Sequence, residues 1–318
     1  MTSSSSESLS LEVGNNVLHP NRKRVAILGA GYAGLCALRH FFADDTKYES
    51  VAFEQSNHIG GIWHYPEGCA ERAHEEPTSP FYTRMYKNMR TNLPKDLMSL
   101  EGLPFPRGDA SYCDVRTVRQ YLEAFAEQFN LREHIKFGHR VTLVTPILSE
   151  AIAADAIGPR WTVECEDLLT KSFKREIFDI VLVCTGKYHK PYMPAADIPG
   201  LANYKGKLLH SSDYRDPERY AGQDVLIVGA GPSGFDIALD LLPLAKSVIF
   251  AKRRNISFFK DQFPTITETT MPQNIIDNGA VLADGSTKNV DAIILCTGYC
   301  FNFPFLSSEC RVERLADE

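Results

Sequence analysis

Three glycines near the start of the chain have the spacing of a pyrophosphate-binding turn. Gly29, Gly31 and Gly34 form G-x-G-x-x-G directly after the apolar run 25–28. The first glycine permits a tight turn, the second leaves room for a pyrophosphate, and the third lets the following helix, whose N-terminus attracts anions, pack on the strand. A second apolar run ends in Glu54, twenty residues after Gly34, where a carboxylate can accept hydrogen bonds from a ribose diol. The residues predicted to bind this dinucleotide are Gly29, Ala30, Gly31, Tyr32, Ala33, Gly34 and Glu54.

The same pattern returns later in the chain with the opposite charge. Gly229, Gly231 and Gly234 follow the apolar run 225–228, and the next strand-like run leads into Lys252-Arg253-Arg254 instead of an acid. Guanidinium groups can pair with a 2′-phosphate, so this site is predicted to bind NADPH. The alternative is a solvated basic turn. The predicted contacts are Gly229, Gly231, Ser233, Gly234, Phe235, Asp236, Arg253 and Arg254.

Both turns need a buried strand before them and a helix after them, which predicts an α/β fold. Two further runs, 179–186 and 291–298, each read as Asp, an apolar strand and Cys-Thr-Gly. Such strands would carry the chain out of one nucleotide-binding domain and back into it, so the prediction is two Rossmann-like dinucleotide-binding domains with the NADPH domain inserted into the other. The predicted bounds are a disordered tail at 1–20, a first part at 21–186, the insertion at 187–285 and the return at 286–318.

Smaller elements complete this reading. Asp114 is a good N-cap for an amphipathic helix with an apolar stripe from Val115 to Phe129. Runs 135–144, 160–166 and 176–184 predict strands of a small antiparallel addition that feeds back into the main sheet.

Composition excludes several classes of function. The 318 residues are 44% hydrophobic with a net charge of −6, so neither nucleic acid nor an anionic membrane surface is an expected partner. No apolar run is long enough to span a membrane, and the Ser-rich start is not a signal peptide. Eight cysteines without paired C-x-x-C spacing indicate reduced thiols and no zinc site. We therefore expect a soluble cytoplasmic protein.

Two stretches outside the turns leave their roles open. Gly60-Gly61-Ile62-Trp63 places two glycines before bulky residues, and a structural turn is favoured over contact with a ligand. The irregular stretch 64–112 contains Thr91-Asn92-Leu93-Pro94. Because the residue before a proline avoids the helical region, the segment that leads into Pro94 is predicted to be extended or a turn, and the residues alone favour Asn92 as a turn-forming side chain.

Taken together, these motifs resemble the flavin-containing monooxygenase family. Gly29 to Gly34 with Glu54 looks like its FAD site, and Gly229 to Gly234 like its NADPH site. Tyr204-x-Gly206-x-x-x-His210-x-x-x-Tyr214 is similar to its identifying sequence, in which Tyr at the last position favours this family over the Baeyer–Villiger branch. For His210, a structural and a functional role stay equally open. The matching elements also include Gly60-Gly61-Ile62-Trp63, Thr91-Asn92-Leu93-Pro94 and Cys296-Thr297-Gly298-Tyr299.

The resemblance implies an FAD- and NADPH-dependent monooxygenase, like an N,N-dimethylaniline monooxygenase. It would use O2 and a flavin hydroperoxide to oxygenate a soft nitrogen or sulfur of a small amine or sulfide. It implies Asn92 as the catalytic residue beside the flavin. A homodimer is one option, and the sequence leaves the oligomeric state open. The further FAD contacts that it implies are Gly61, Ile62, Trp63, Thr91, Asn92, Thr297 and Gly298.

Three alternatives stay open at this point. Family members continue beyond the last motif, whereas this sequence ends at Glu318, so a truncated FAD- and NADP-binding protein without activity is one. A Baeyer–Villiger ketone monooxygenase is the second. A flavin disulfide reductase is the third, and it would need a redox cysteine pair, for which Cys296 and Cys300 are the only closely spaced candidates.

Overall fold

The structure is a computed structural model of the chain. It describes residues 22–72, 79, 82–108, 110–147, 160–194, 196–253, 257, 259, 263 and 265–312. The predicted tail 1–20 and Arg254, one of the two predicted phosphate-binding arginines, lie outside the described residues.

The chain forms two compact units, each made of segments distant in sequence. The first unit contains the residues up to Gly61, then 120–186, and the residues from Phe303 on. The second contains 62–119 and 187–302. Along the chain, the second unit is thus inserted into the first at two places, which agrees with the predicted α/β fold with one nucleotide-binding domain inserted into another.

The first unit is built on a four-stranded parallel sheet in the order β3-β2-β1-β7. Its strands are β1 (Lys23–Leu28), β2 (Tyr48–Glu54), β3 (Ile135–Phe137) and β7 (Ile180–Val183). Four successive residues of β1, 25–28, are fully buried, as expected for the centre of a parallel sheet covered on both faces. Helix α1 (Tyr32–Phe42) follows β1 and buries Gly34, Leu35 and Leu38, which are spaced to lie on one face.

A three-stranded antiparallel sheet of β4 (His139–Ile147), β5 (Arg160–Asp167) and β6 (Phe173–Phe178) completes this unit. The predicted strand 176–184 is two strands, because the chain changes sheets between β6 and β7. Asp179 lies at this break, and its Oδ2 accepts a hydrogen bond of 2.7 Å from the backbone N–H of Arg24. Helix α2 (Val115–Gln128) begins where predicted, with Asp114 Oδ1 accepting from the N–H of Thr117 at 2.7 Å.

The second unit is built on a five-stranded parallel sheet in the order β12-β11-β10-β16-β9. Helix α3 (Pro232–Leu241) follows β10 as α1 follows β1. The strands of this sheet are β9 (Lys207–His210), β10 (Asp224–Val228), β11 (Ser247–Lys252), β12 (Ile266–Thr270) and β16 (Ala292–Leu295). Its smaller sheets are β13 (Asn274–Ile276), β14 (Gly279–Val281) and β15 (Thr287–Asn289), and the pair β8 (Lys190–Pro191) and β17 (Tyr299–Cys300).

The position of β16 differs from the predicted bounds of the domains. The sequence predicts a return to the first domain at residue 286, but β16 pairs with β10 in the second unit, and the first unit resumes only at Phe303. The two Cys-Thr-Gly strands are therefore equivalent elements of separate sheets. β7 lies beside β1, and β16 lies beside β10.

Within the part of the chain that the structure describes, no helix combines the length and the apolar character that crossing a membrane requires.

Candidate functional site

The first glycine turn is shaped by the end of the neighbouring strand. Gly29 has a φ of +102°, and a Cβ placed there would lie 2.8 Å from the carbonyl oxygen of Cys184, in the first Cys-Thr-Gly turn. A Cβ on Gly34 would lie 1.9 Å from the carbonyl oxygen of Gly29. Both positions therefore exclude any side chain, and their glycines let strand, turn and helix pack together.

Gly31 has a different role in this turn. A Cβ placed on Gly31 would lie 3.4 Å from the Cα of Gly61, and Gly61 itself has a φ of +59°. The N–H of Gly60 donates to the carbonyl oxygen of Ala30 at 3.0 Å. The double glycine thus forms a turn that packs directly on the first glycine turn, and a Cβ on Gly61 would lie only 3.1 Å from the Cα of Gly31.

Glu54 lies where the ribose acid was predicted and is held by the turn itself. Its Oε2 accepts from the N–H of Ala30 at 2.9 Å, and its Oε1 accepts from the N–H and hydroxyl of Ser56 at 2.9 and 2.8 Å. A carboxylate can accept about four hydrogen bonds, so Oε2 keeps the capacity for another donor. A ribose hydroxyl is a donor of the right kind.

The second glycine turn repeats this construction. A Cβ on Gly229, at a φ of +118°, would lie 2.2 Å from the carbonyl oxygen of Cys296, and a Cβ on Gly234 would lie 2.0 Å from that of Gly229. By contrast, a Cβ on Gly231 would meet no atom of the described residues within 4 Å. The space above Gly231 is therefore open, as an approaching pyrophosphate requires.

Of the two described basic residues at the end of β11, one is buried and the other is exposed. Val228 pairs with Ala251 as Leu28 pairs with Phe53, so Lys252 takes the register position of Glu54. Lys252 is 3% exposed, and its ammonium lies 2.9 Å from Glu268. Arg253, one residue further, is exposed. The sequence predicts phosphate contacts at Arg253 and Arg254, whereas the strand register gives the position of Glu54 to Lys252.

The side chains at the start of α3 face their own unit. The ring of Phe235 stacks on Phe259 with centroids 5.2 Å apart. Asp236 accepts a hydrogen bond of 3.2 Å from the hydroxyl of Tyr86, and burial raises the pKa of this carboxyl. Any contact of these two residues with a cofactor would therefore come mainly from the backbone.

The second Cys-Thr-Gly turn is clamped beside Gly229. The hydroxyl of Thr297 donates to the carbonyl oxygen of Tyr192 at 2.6 Å, and Tyr192 N–H returns a bond of 2.9 Å to the carbonyl oxygen of Gly298. Thr297 and Gly298 were expected among the FAD contacts. They lie in the second unit, next to its own glycine turn, because β16 pairs with β10.

His210 holds the same turn from the other side. It is 2% exposed, and its Nε2 lies 3.0 Å from the carbonyl oxygen of Gly298. Its Nδ1 accepts from the N–H of Ser212 at 3.1 Å, so the proton of the neutral ring is on Nε2 and donates to Gly298. Burial lowers the pKa of His210 and favours this neutral form. The contacts give His210 a structural role at the turn.

His210 belongs to the motif Tyr204-x-Gly206-x-x-x-His210-x-x-x-Tyr214, and the other residues of this motif stabilise the edge strand β9. The hydroxyl of Tyr204 donates to the carbonyl oxygen of Val290 at 2.8 Å, and its ring lies where a Cβ of Gly206 would be, 2.2 Å from the hydroxyl oxygen. Tyr214 is fully buried, and its hydroxyl donates to Asp240 on α3 at 2.7 Å. The motif therefore fastens β9 to the second sheet and to α3.

Asn92 lies in a loop of the second unit that Thr91 fixes. The N–H of Thr91 donates to the carbonyl oxygen of Cys113 at 2.9 Å, and its hydroxyl accepts from the N–H of Cys113 at 3.1 Å. Thr91 is 5% exposed, whereas Asn92 is exposed. Ile62 and Trp63 are partly buried in the same unit. The loop thus presents the amide of Asn92 on a fixed backbone.

Comparison with known proteins gives the family. The model of the family described as "Flavin-binding monooxygenase-like" matches residues 22–265. The chain belongs to this family. Members of the flavin-binding monooxygenase-like family combine FAD with NADPH, and the two glycine turns, with Glu54 at one strand end and Arg253 beyond the other, suit these two cofactors.

Two of the similar proteins are named for oxygenation at nitrogen or at sulfur. Senecionine N-oxygenase of Tyria jacobaeae is 32% identical over 90% of this chain and 60% of its own length. Flavin-containing monooxygenase FMO GS-OX5 of Arabidopsis thaliana is 33% identical over 91% of this chain and 62% of its own. The structure of S-allyl-L-cysteine S-oxygenase from Allium sativum superimposes with a TM-score of 0.76 at 30% identity, covering 90% of this chain and 64% of that one. The chain thus spans about 60% of the length of these curated relatives.

The cysteines do not fit a disulfide reductase. All eight are free thiols, and burial raises the pKa of Cys296 to about 12. A redox-active cysteine needs a lowered pKa and access, so Cys296 has the opposite environment. It packs instead under α3, with its Cβ 3.3 Å from where a Cβ of Gly234 would be.

Proposed function

We propose that this protein is an FAD- and NADPH-dependent monooxygenase that places one oxygen atom of O2 on a soft nitrogen or sulfur of a small molecule. The other oxygen atom leaves as water, with two electrons from NADPH and the protons that balance them. The family assignment supports the class of reaction, and relatives named as N- and S-oxygenases support the class of acceptor atom. The proposed substrate is a small amine or sulfide.

The first unit holds FAD through its glycine turn. Bound flavin supplies the activation of O2, which no side chain can provide. The N–H groups at the start of α1 would bind the pyrophosphate, and Gly31 and Gly61 would leave the approach to them free of side chains. Oε1 of Glu54 accepts from Ser56, and Oε2 accepts one hydrogen bond from Ala30. Oε2 would accept a second hydrogen bond from a ribose hydroxyl.

The second unit holds NADPH in the same manner. The start of α3, next to the open side of Gly231, would bind the pyrophosphate. Arg253, which is exposed, would bind the 2′-phosphate, whereas Lys252 is buried against Glu268 and keeps the strand end in place. Thr297 and Gly298, clamped by Tyr192 and His210, form the wall beside this turn.

Asn92 is the residue that we assign to the reaction. Its amide offers both a donor and an acceptor, and its position is fixed by the buried Thr91 rather than by its own contacts. An amide can orient a polar reacting group without itself exchanging protons. This role fits a protein in which the cofactors carry out the redox chemistry and side chains supply position.

The observation that carries this proposal is the pair of matched glycine turns whose following strands end in opposite charges. The test is to supply the full chain with FAD, NADPH and ¹⁸O-labelled O2, together with a thioether, a tertiary amine and a ketone in separate reactions. We expect one labelled oxygen in the sulfoxide or the N-oxide. NADPH oxidation that yields only hydrogen peroxide, or oxygen inserted only into the ketone, would overturn the proposed reaction.

A further inference from the structure

A short stretch before Asn92 is attached to helix α3 by side-chain hydrogen bonds. We call residues 85–89 the docking segment. Within it, Tyr86 is 7% exposed and belongs to the hydrophobic core of the second unit, with its ring 5.4 Å from that of Tyr214. Its hydroxyl donates to Asp236 Oδ2 at 3.2 Å. Asp236 lies only two residues after Gly234, in the turn of α3 that would bind the pyrophosphate.

A second bond lies one helical turn further along α3. The side-chain amide of Asn88 donates to Asp240 Oδ1 at 2.8 Å, while the other oxygen of Asp240 accepts from Tyr214 at 2.7 Å. Asp236 and Asp240 are four residues apart and so lie on one face of the helix. The docking segment is therefore attached to α3 at two carboxylates, which fixes its direction as well as its distance.

The backbone of the segment is held as well. The N–H of Lys87 donates to the carbonyl oxygen of Arg215 at 2.8 Å. Its ammonium pairs with Glu218 at the surface, with both side chains about half exposed. Such exposed pairs contribute little to stability, so the side chain of Lys87 adds little to the attachment.

The other end of this stretch leads directly to Asn92. Only three residues separate Asn88 from Asn92, and the last of them, Thr91, is buried and bonded to Cys113 through both its N–H and its hydroxyl. With both ends fixed, three intervening residues leave little freedom for Asn92 to move independently of α3. A displacement at the start of α3 therefore reaches the Asn92 loop through the docking segment.

We propose that Tyr86 and Asn88 are positioning residues that couple NADP binding at α3 to the placement of Asn92. This inference rests on the proposed function, because it takes the glycine turn before α3 as the NADPH site. It adds a purpose for two residues that touch neither the glycine turn nor the Asn92 side chain. The nicotinamide nucleotide would thus serve as an electron donor and would also order the loop that carries the reacting amide.

Hydrogen–deuterium exchange on the full FAD-loaded chain, with and without NADP⁺, tests this coupling. In the unmodified protein we expect NADP⁺ to slow exchange at the start of α3 and also in residues 85–92. In the double variant Tyr86→Phe with Asn88→Ala, we expect α3 to stay protected while protection of 85–92 falls about tenfold, which corresponds to about 1.4 kcal/mol. Asn88→Ala alone, at an exposed position, should show part of this loss in a fully folded chain.

Lys87→Ala is the matched control, because it lies between the two residues and removes only the exposed pair with Glu218. It should keep the protection pattern of the unmodified protein. As a second readout, the double variant should oxidise NADPH with an unchanged KM while a larger share of the electrons ends in hydrogen peroxide.

The outcomes separate this inference from the proposed function. Protection of α3 without protection of 85–92 in the unmodified protein would overturn the coupling and leave the NADPH site intact. Full protection of 85–92 in the double variant would also overturn it. If NADP⁺ protects neither region, the NADPH site itself is wrong, and both proposals fail.

Discussion

Replacing Gly231 by alanine separates cofactor binding from folding. Gly231 has a φ of −79°, which alanine adopts freely, and an added Cβ would meet no atom within 4 Å in the part of the chain that the structure describes. The substitution also reduces the freedom of the unfolded chain, which stabilises proteins by about 0.4–1 kcal/mol where the conformation is compatible. The free energy of unfolding should therefore stay the same or rise slightly.

The affinity for NADP⁺, in contrast to the stability of the fold, should fall in Gly231→Ala. The methyl group would stand in the open space above the turn, where the pyrophosphate must approach the backbone. Extra atoms in a closely packed contact typically cost about 1–3 kcal/mol. Because each 1.4 kcal/mol is a factor of ten, the dissociation constant of NADP⁺ should rise about 5- to 150-fold.

Titration calorimetry with NADP⁺ and thermal unfolding without it would measure the two effects on one preparation. Gly234→Ala is the contrasting variant, because its Cβ would lie 2.0 Å from the carbonyl oxygen of Gly229 and should prevent correct folding. FAD content should be unchanged in Gly231→Ala, since that site lies in the first unit. An unchanged affinity for NADP⁺ in a folded Gly231→Ala protein would refute the assignment of this turn.

Three further variants test single residues. Arg253→Ala should weaken NADPH binding about tenfold, because a bond to a charged phosphate is lost, and leave NADH binding unchanged; competition titration would show this, and an equal loss for both nucleotides would contradict it. Glu54→Gln should fold, as circular dichroism can verify, yet lose FAD on gel filtration, whereas full retention of flavin would argue against the ribose contact. His210 has a pKa lowered by burial from its ordinary 6.5, so the unfolded chain takes up the proton first as the pH falls below that value, and the free energy of unfolding decreases. His210→Gln should reduce this decrease in urea unfolding between about pH 7.5 and about pH 5.5, and an unaltered pH dependence would be evidence against the neutral buried ring.

The glycine turns and the acid after β2 were predictable because each is a local pattern with one physical explanation. Gly29, Gly34, Gly229 and Gly234 lie against backbone atoms that any side chain would meet. Glu54 ends a strand whose apolar residues are legible in the sequence. Such features depend on residues that are close along the chain, so the spacing of the residues in the sequence is enough to predict them.

It was harder to predict which basic residue at the end of β11 takes the position of Glu54, because the glycine pattern does not fix the lengths of the elements that follow it. Twenty residues separate Gly34 from Glu54, and the same count from Gly234 leads to Arg254, but α3 and β11 are each one residue shorter than α1 and β2. The register instead places Lys252 at the position of Glu54, buried against Glu268. Element boundaries are the least reliable part of any reading from sequence, and here they decided which cation reaches solvent.

Strand pairing and long-range contacts lay beyond the sequence. The Cys-Thr-Gly strand β16 was expected to return to the first domain, but parallel strands buried on both faces carry no pattern that names their partner. The bonds from Tyr86 and Asn88 to α3 join residues about 150 positions apart. Nothing in the irregular stretch 64–112 indicates that it packs on that helix.

Anaerobic mixing of the full chain with NADPH tests most directly whether the two glycine turns hold FAD and NADPH in one working protein. We expect that the chain retains FAD, that NADPH bleaches its visible absorption much faster than NADH does, and that Arg253→Ala removes this preference. A chain that binds FAD but is not reduced by NADPH, or is reduced equally fast by NADH, would contradict the assignment of the two turns.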